Sequence, residues 1–145
     1  MLIAHVLRDK GAVVYTVRAE ATLEEAAGVL TEKKVGALVV IGEGGAIVGV
    51  MSERDIVREI ARNGGKSLSD TVATIMSRDV VTADPTETVD EGLGRMTERR
   101  IRHLPVLDSG RLIGVVSIGD LVKDIISEQK FIIEQLEHYI TGERG

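Results

Sequence analysis

Cysteine is absent from the chain. That excludes disulfides, thiol nucleophiles and thiolate metal sites. Aromatic residues make up only 2%: Tyr15, Phe131 and Tyr139, with no Trp. The core must therefore be Val, Ile, Leu, Ala and Met, and a bound base would lie between aliphatic side chains. No apolar run approaches the roughly 18 residues of a membrane span. The N-terminus lacks the charged and apolar regions of a signal peptide, so the expected compartment is the cytoplasm. Positive charge is also scarce: 18 Lys and Arg against 23 Asp and Glu give a net charge of −5. A protein built to grip nucleic-acid backbone needs a dense positive face, so nucleic acid is a disfavoured partner. His5, His103 and His138 show no ligand spacing, so no metal is expected. No nucleophile, base and acid fall into a set, so neither a catalytic centre nor a cofactor is expected.

What is present is a stretch used twice. Gly49-Val50-Met51-Ser52-Glu53-Arg54-Asp55 returns as Gly114-Val115-Val116-Ser117-Ile118-Gly119-Asp120. Each copy reads as a strand running into a helix. The serine sits at the N-cap, where its hydroxyl can accept from an orphan backbone N–H. The aspartate falls in the first turn, where negative charge suits the helix dipole. Two readings follow. One is a capping box repeated because the fold is repeated. The other is a ligand site: a helix N-terminus with a serine hydroxyl suits phosphate, and the aspartate can accept both hydroxyls of a ribose.

Taken in order, residues 2–8 read as a short helix that Lys10-Gly11 breaks, and 13–17 as a strand. Thr22 and Glu25 form a capping box for a helix with Leu23, Ala26, Ala27 and Leu30 on one face, ending at Lys33-Lys34. Two strands follow, 37–41 and 46–51, joined by a turn at Gly42-Glu43-Gly44-Gly45. The helix capped by Ser52 shows Ile56, Val57 and Ile60 and ends at Asn63-Gly64-Gly65. Residues 66–74 are polar and linker-like. The pattern then restarts: a strand at 80–82, a capping box of Thr88 with Glu91, a helix face of Val89, Leu93 and Met96, strands at 104–107 and 111–116, and Ser117 as cap. Lys33-Lys34 and Arg99-Arg100 read as solvated helix ends.

The halves superpose at an offset of 66 residues, pairing Thr16, Thr22, Glu25, Gly28, Leu38 and Val40 with Thr82, Thr88, Glu91, Gly94, Leu104 and Val106. After a shorter turn the offset is 65, pairing Gly49, Ser52, Asp55 and Ile60 with Gly114, Ser117, Asp120 and Ile125. A repeat this long specifies two β-α-β-β-α units in an α/β (α+β) fold. Neither unit can bury its sheet alone, so the expectation is sheet-to-sheet packing about a pseudo-twofold axis. The boundaries are 8–65 for the first repeat, 66–74 for the linker, 75–126 for the second repeat, and 127–145 for a C-terminal helix and tail.

With these features, and with Ile101-Arg102-His103-Leu104-Pro105-Val106, the chain resembles a tandem pair of CBS domains, the arrangement called a Bateman module. The resemblance covers roughly residues 8–126. It implies a stand-alone regulatory protein that binds AMP, ADP, ATP or a dinucleotide such as NAD in clefts between the units. Asp55 and Asp120 would each hold a ribose diol. Ser52 and Ser117 would face phosphate, with Arg54, Arg102 and His103 adding charge. The lead-in strand of each unit would close the other unit's cleft: Met76, Val80 and Val81 toward Asp55, and Val14, Tyr15 and Thr16 toward Asp120, with Thr82 also in the implied nucleotide-binding set. Ala37, Met51, Pro105, Val116 and Gly119 complete the implied nucleotide-binding set. The chain departs from the family pattern where Gly36-Ala37-Leu38-Val39 replaces the basic pair and proline of Arg102-His103-Leu104-Pro105, and where Gly119 replaces Arg54. The two clefts are therefore not equivalent.

Beyond Ile126 the family pattern ends but a helical pattern continues. Ile125, Gln129, Ile132, Leu136 and Tyr139 alternate at four and three, and Ile126, Ile133 and Ile140 recur at seven. Such a seam buries against its own domain or a second subunit. The expectation is a homodimer through this helix and the flat disc that CBS pairs commonly form, with an effector protein as a further partner. The rival readings are a dimerising adaptor with vestigial clefts and a nucleic-acid-binding CBS protein.

Overall fold

A computed structural model describes residues 1–11 and 13–141; the tail residues 142–145 of the sequence reading lie outside them. In chain order the elements are helix α1 (Ile3–Lys10), strand β1 (Thr16–Arg18), helix α2 (Leu23–Lys33), strands β2 (Ala37–Ile41) and β3 (Ile47–Ser52), helix α3 (Glu53–Asn63) and the short helix α4 (Val72–Ile75). Helix α5 (Val89–Arg99), strands β4 (His103–Asp108) and β5 (Arg111–Ser117), and the 24-residue helix α6 (Ile118–Thr141) follow. They form two compact units. The first is Val13–Val81; the second joins the N-terminal segment to residues 82–141.

In the first unit β1 lies parallel to β2, and β3 antiparallel on the other side. β2 is buried from Ala37 to Val40, as expected of an all-apolar central strand. The core is Val17, Leu23, Ala26, Leu30, Leu38, Val40, Met51, Ile56, Val72 and Met76, with no aromatic ring among them. The capping box forms as read: Thr22 accepts from the Glu25 amide at 3.2 Å, and Glu25 from the Thr22 amide at 3.4 Å. Sequence reading made residues 66–74 a linker. They are instead a folded part of the first unit, a 3-10 turn at Gly65–Ser69 and then α4, with Ser67 and Val72 buried. Val57 was expected on the buried face of α3 but is 66% exposed; the face narrows to Ile56.

The second unit holds a two-stranded sheet, β4 against β5. The predicted strand at 80–82 is not formed. Its place is taken by a single parallel bridge from Ala83 to Val106. The sequence after Ala83 explains why. Pro85 has no N–H to extend a ladder, and the Asp84 side chain accepts from the Thr86 amide at 2.9 Å, turning the chain. The Thr88–Glu91 capping box forms as its counterpart does. α1 is part of this core: Ile3, Val6 and Leu7 are buried with Val89, Met96, Leu104, Val106, Val116 and Leu121.

The glycines of the repeated stretch now have a reason. A Cβ on Gly114 would meet Leu7 Cδ2 at 2.6 Å, and one on Gly49 would meet Met76 Sδ at 2.7 Å and the Ser77 carbonyl at 2.8 Å. In each unit a short helical segment lies against the strand where the glycine sits. α1 covers β5 as α4 and Met76 cover β3. The backbone agrees: Ile3 donates to Glu87 and Ala4 to Pro85, as Val72 donates to Ala21 and Ala73 to Ala19.

Candidate functional site

Both helix starts of the repeated stretch are built alike. β2 pairs Ala37 with Ser52, and β4 pairs His103 with Ser117. The residue before each strand accepts from the first helical amide: Glu53 N to Gly36 O at 3.0 Å, and Ile118 N to Arg102 O at 2.9 Å. The serine and aspartate then cap reciprocally. Ser52 N donates to Asp55 Oδ2 at 2.8 Å, and Asp55 N to Ser52 Oγ at 3.3 Å. Ser117 N donates to Asp120 Oδ2 at 2.8 Å, and Asp120 N to Ser117 Oγ at 3.1 Å. Each aspartate is thereby locked in one rotamer at a helix N-terminus, which suits both a cap and an acceptor for paired hydroxyls.

The remaining partners differ. Asp55 Oδ1 accepts from Arg58 Nη1 at 3.4 Å, from a side chain that is 58% exposed. Asp120 Oδ2 accepts from Lys10 Nζ at 2.6 Å, and the same ammonium donates to Val115 O at 2.8 Å. Burial works to raise the Asp120 pKa. The hydrogen bonds from Lys10 and the Ser117 amide, with the Lys10 charge, outweigh it and hold the carboxyl below its usual range. Gly119 leaves room at the helix start, since a Cβ there would meet only Ser117 Oγ at 3.7 Å. Arg54 is exposed on α3, where with Glu53, Val57 and Arg58 it lines an open groove of about 420 Å³. Arg102 is exposed and His103 half-buried beside Ser117.

The structure brings together Ser52, Arg54, Asp55 and Ala37 at one helix start, and Arg102, His103, Ser117, Gly119 and Asp120 at the other. Met51 and Val116, fully buried, are core side chains, as strand alternation requires; only their backbone can meet a ligand. Met76 and Pro105 are also buried. Val14, Tyr15 and Thr16 open the first unit, and Tyr15 O accepts from Val39 N at 3.3 Å. Val80 and Val81 end that unit in irregular, half-buried backbone. Thr82 O is already held by Arg95 Nη1 at 2.9 Å, and Arg95 also pairs with Glu87. Sequence reasoning missed Arg58 and Lys10. Arg58 stands three residues from Asp55, a spacing that signals a helical ion pair. Lys10 lies 110 residues from Asp120, and nothing local announces it.

Among the described residues no group of three or more His, Asp or Glu could hold a metal ion, and no helix is long and apolar enough to cross a membrane. Compared with known proteins, the chain matches the family model of the CBS domain twice, at residues 11–62 and 72–127. It is 38% identical over 125 residues to the mitochondrial CBS domain-containing protein CBSX3 of Arabidopsis thaliana. That match spans 83% of this chain and 61% of the plant protein. Among solved structures it is similar to a putative signal-transduction protein with CBS domains from Burkholderia ambifaria, with TM-score 0.83 and 40% identity over 89% of this chain and 96% of that one. It is also similar to the CBS domain pair of protein MJ0100 in complex with 5′-methylthioadenosine and S-adenosyl-L-methionine, with TM-score 0.78 and 27% identity over 88% of this chain and 98% of that one.

Proposed function

The chain belongs to the CBS-domain family, carrying the domain twice, and on that basis we propose that it is a regulatory protein that binds adenosine-containing ligands at the helix starts of Asp55 and Asp120. The observation that carries the reading is the twofold recurrence of one arrangement: a capped helix N-terminus with a fixed, half-buried carboxylate beside it. The carboxylate offers charge-assisted acceptors to a 2′,3′-diol, and the helix start offers amide dipoles to phosphate. The adenosine ligands in complex with the CBS domain pair of protein MJ0100 support the ligand class. AMP, ADP, ATP and NAD share the same diol and are the nucleotides we propose to act here. Arg54 at the Asp55 site and Arg102 at the Asp120 site are both exposed, and a guanidinium binds phosphate as a rigid fork; the Asp120 site adds His103 beside it. Signalling would pass to an effector protein or to the oligomeric state of a homodimer.

Calorimetry of AMP against 2′-deoxy-AMP tests this. Loss of one hydroxyl contact to a carboxylate should cost about tenfold in affinity, on the scale of roughly 1.5 kcal/mol for a charged hydrogen bond. Equal affinity for the two nucleotides would remove the ribose role. A second reading, a dimerising adaptor without ligand, is favoured by one observation: both carboxylates already carry a basic partner from within the chain. It predicts no aspartate-dependent nucleotide binding in equilibrium dialysis.

A further inference from the structure

Lys10 reaches the Asp120 site from outside the repeated stretch. It is the last residue of α1, whose Ile3, Val6 and Leu7 are buried and whose Leu7 rests against Gly114 of β5. That packing fixes where the lysine stem begins. Its ammonium bonds the last carbonyl but two of β5, Val115 O, and the carboxylate that begins α6. Asp120 Oδ2 thus accepts from Lys10 at 2.6 Å and from the Ser117 amide at 2.8 Å, while Oδ1 takes none of the described bonds. A carboxylate oxygen has two acceptor directions, so Oδ2 is filled. A diol that engages both oxygens must displace the ammonium, because the Ser117 amide is fixed by the backbone. The Asp55 site has weaker occupants: its Oδ2 accepts from the Ser52 amide at 2.8 Å and from the Ser52 hydroxyl at 3.2 Å, and a hydroxyl can rotate away. Its basic neighbour is the exposed Arg58 of the same helix, at 3.4 Å on the other oxygen.

We propose that Lys10 is a gate on the Asp120 site: it occupies the acceptor a ribose needs and yields it in competition, so that an uncharged adenosine ligand fills the Asp55 site first. The proposal rests on the ribose reading above. It makes α1 the element that responds when the second site fills, since the displaced lysine loses both of its bonds. Lys10 acts here on ligand choice as well as affinity. An uncharged nucleoside gains nothing from the displaced ammonium, whereas an anionic ligand gives it a new partner.

The test uses the full chain carrying Asp55→Ala, so that binding reports the Asp120 site, with 5′-methylthioadenosine as an uncharged probe. Adding Lys10→Met should tighten binding about two- to fivefold, the range of a partly exposed ion pair. Raising salt from about 0.1 M to about 1 M shortens the screening length from about 10 Å to about 3 Å. Affinity should therefore rise with salt when Lys10 is present and stay flat in Lys10→Met. Lys10→Arg keeps the charge and should keep the salt response, which separates gating from a general disturbance of α1. Unchanged or weaker binding in Lys10→Met, with Asp120→Ala still abolishing it, would overturn the gate and leave the ribose reading standing. Absence of probe binding, or binding indifferent to Asp120→Ala, would overturn the ribose reading of this site and the gate with it.

Discussion

Asp124 carries a cost that Asp55 and Asp120 avoid. Its Oδ2 is buried without a hydrogen-bond partner, and burial, then Glu128 and Asp9, raise its pKa. A carboxylate whose folded pKa is raised destabilises the fold as pH climbs through its unfolded value of about 3.9, with the full penalty above the folded value. Asp124→Asn should therefore raise stability at pH 7, because the neutral amide escapes the penalty that burial places on the charged form. The gain should vanish below about pH 3; denaturant melts at the two pH values check it. Asp120 has the opposite sign. Its depressed pKa contributes stability that is present above the unfolded value and lost as pH falls through the folded one. At this scale the sequence was readable wherever partners lie three residues apart. Thr22 with Glu25, Thr88 with Glu91, Ser52 with Asp55 and Ser117 with Asp120 all cap as their spacing requires. Lys10 was not readable, because its pairing with Asp120 depends on where α1 packs.

The glycines of the repeated stretch belong to the scale of elements, since each is set by the segment lying on its strand. Gly49→Ala would drive a methyl group into the Ser77 carbonyl, which is held to Val50 by paired hydrogen bonds of 3.0 and 2.9 Å and cannot step aside. Gly114→Ala meets first the Leu7 side-chain tip, which can rotate. Overpacking of this kind costs about 1–3 kcal/mol; Gly49→Ala should fall at the upper end and Gly114→Ala at the lower, in urea titrations. Equal losses would show that Leu7 is held as rigidly as the backbone. The β-α-β-β-α order was legible from period and turn residues. The role of α1 was not. Ile3, Val6 and Leu7 match Val72, Ile75 and Met76 in packing but not in identity, so an offset search over residue types passes them by. The lead-in at 80–82 looked like a strand because Val80 and Val81 have the composition of one. Asp84 and Pro85 just beyond it prevent the ladder from extending.

For the whole molecule the open feature is α6. Past Leu121 it leaves its unit's core: Ile126, Phe131, Ile132, Ile133, Leu136, Tyr139 and Ile140 are between 49% and 82% exposed. A stripe this wide on one helix seeks a partner surface. Truncation after Ser127 should lower the oligomeric mass seen by light scattering without unfolding either unit. An unchanged mass would mean that the stripe joins no subunits. The central claim, that the two repeated helix starts are adenosine-ligand sites, is tested most directly by counting AMP sites in titration calorimetry on the intact chain. The account predicts two sites in the native protein, one in Asp55→Ala, one in Asp120→Ala and none in the double variant, with all four proteins folded by circular dichroism. Undiminished AMP binding in the double variant would contradict it.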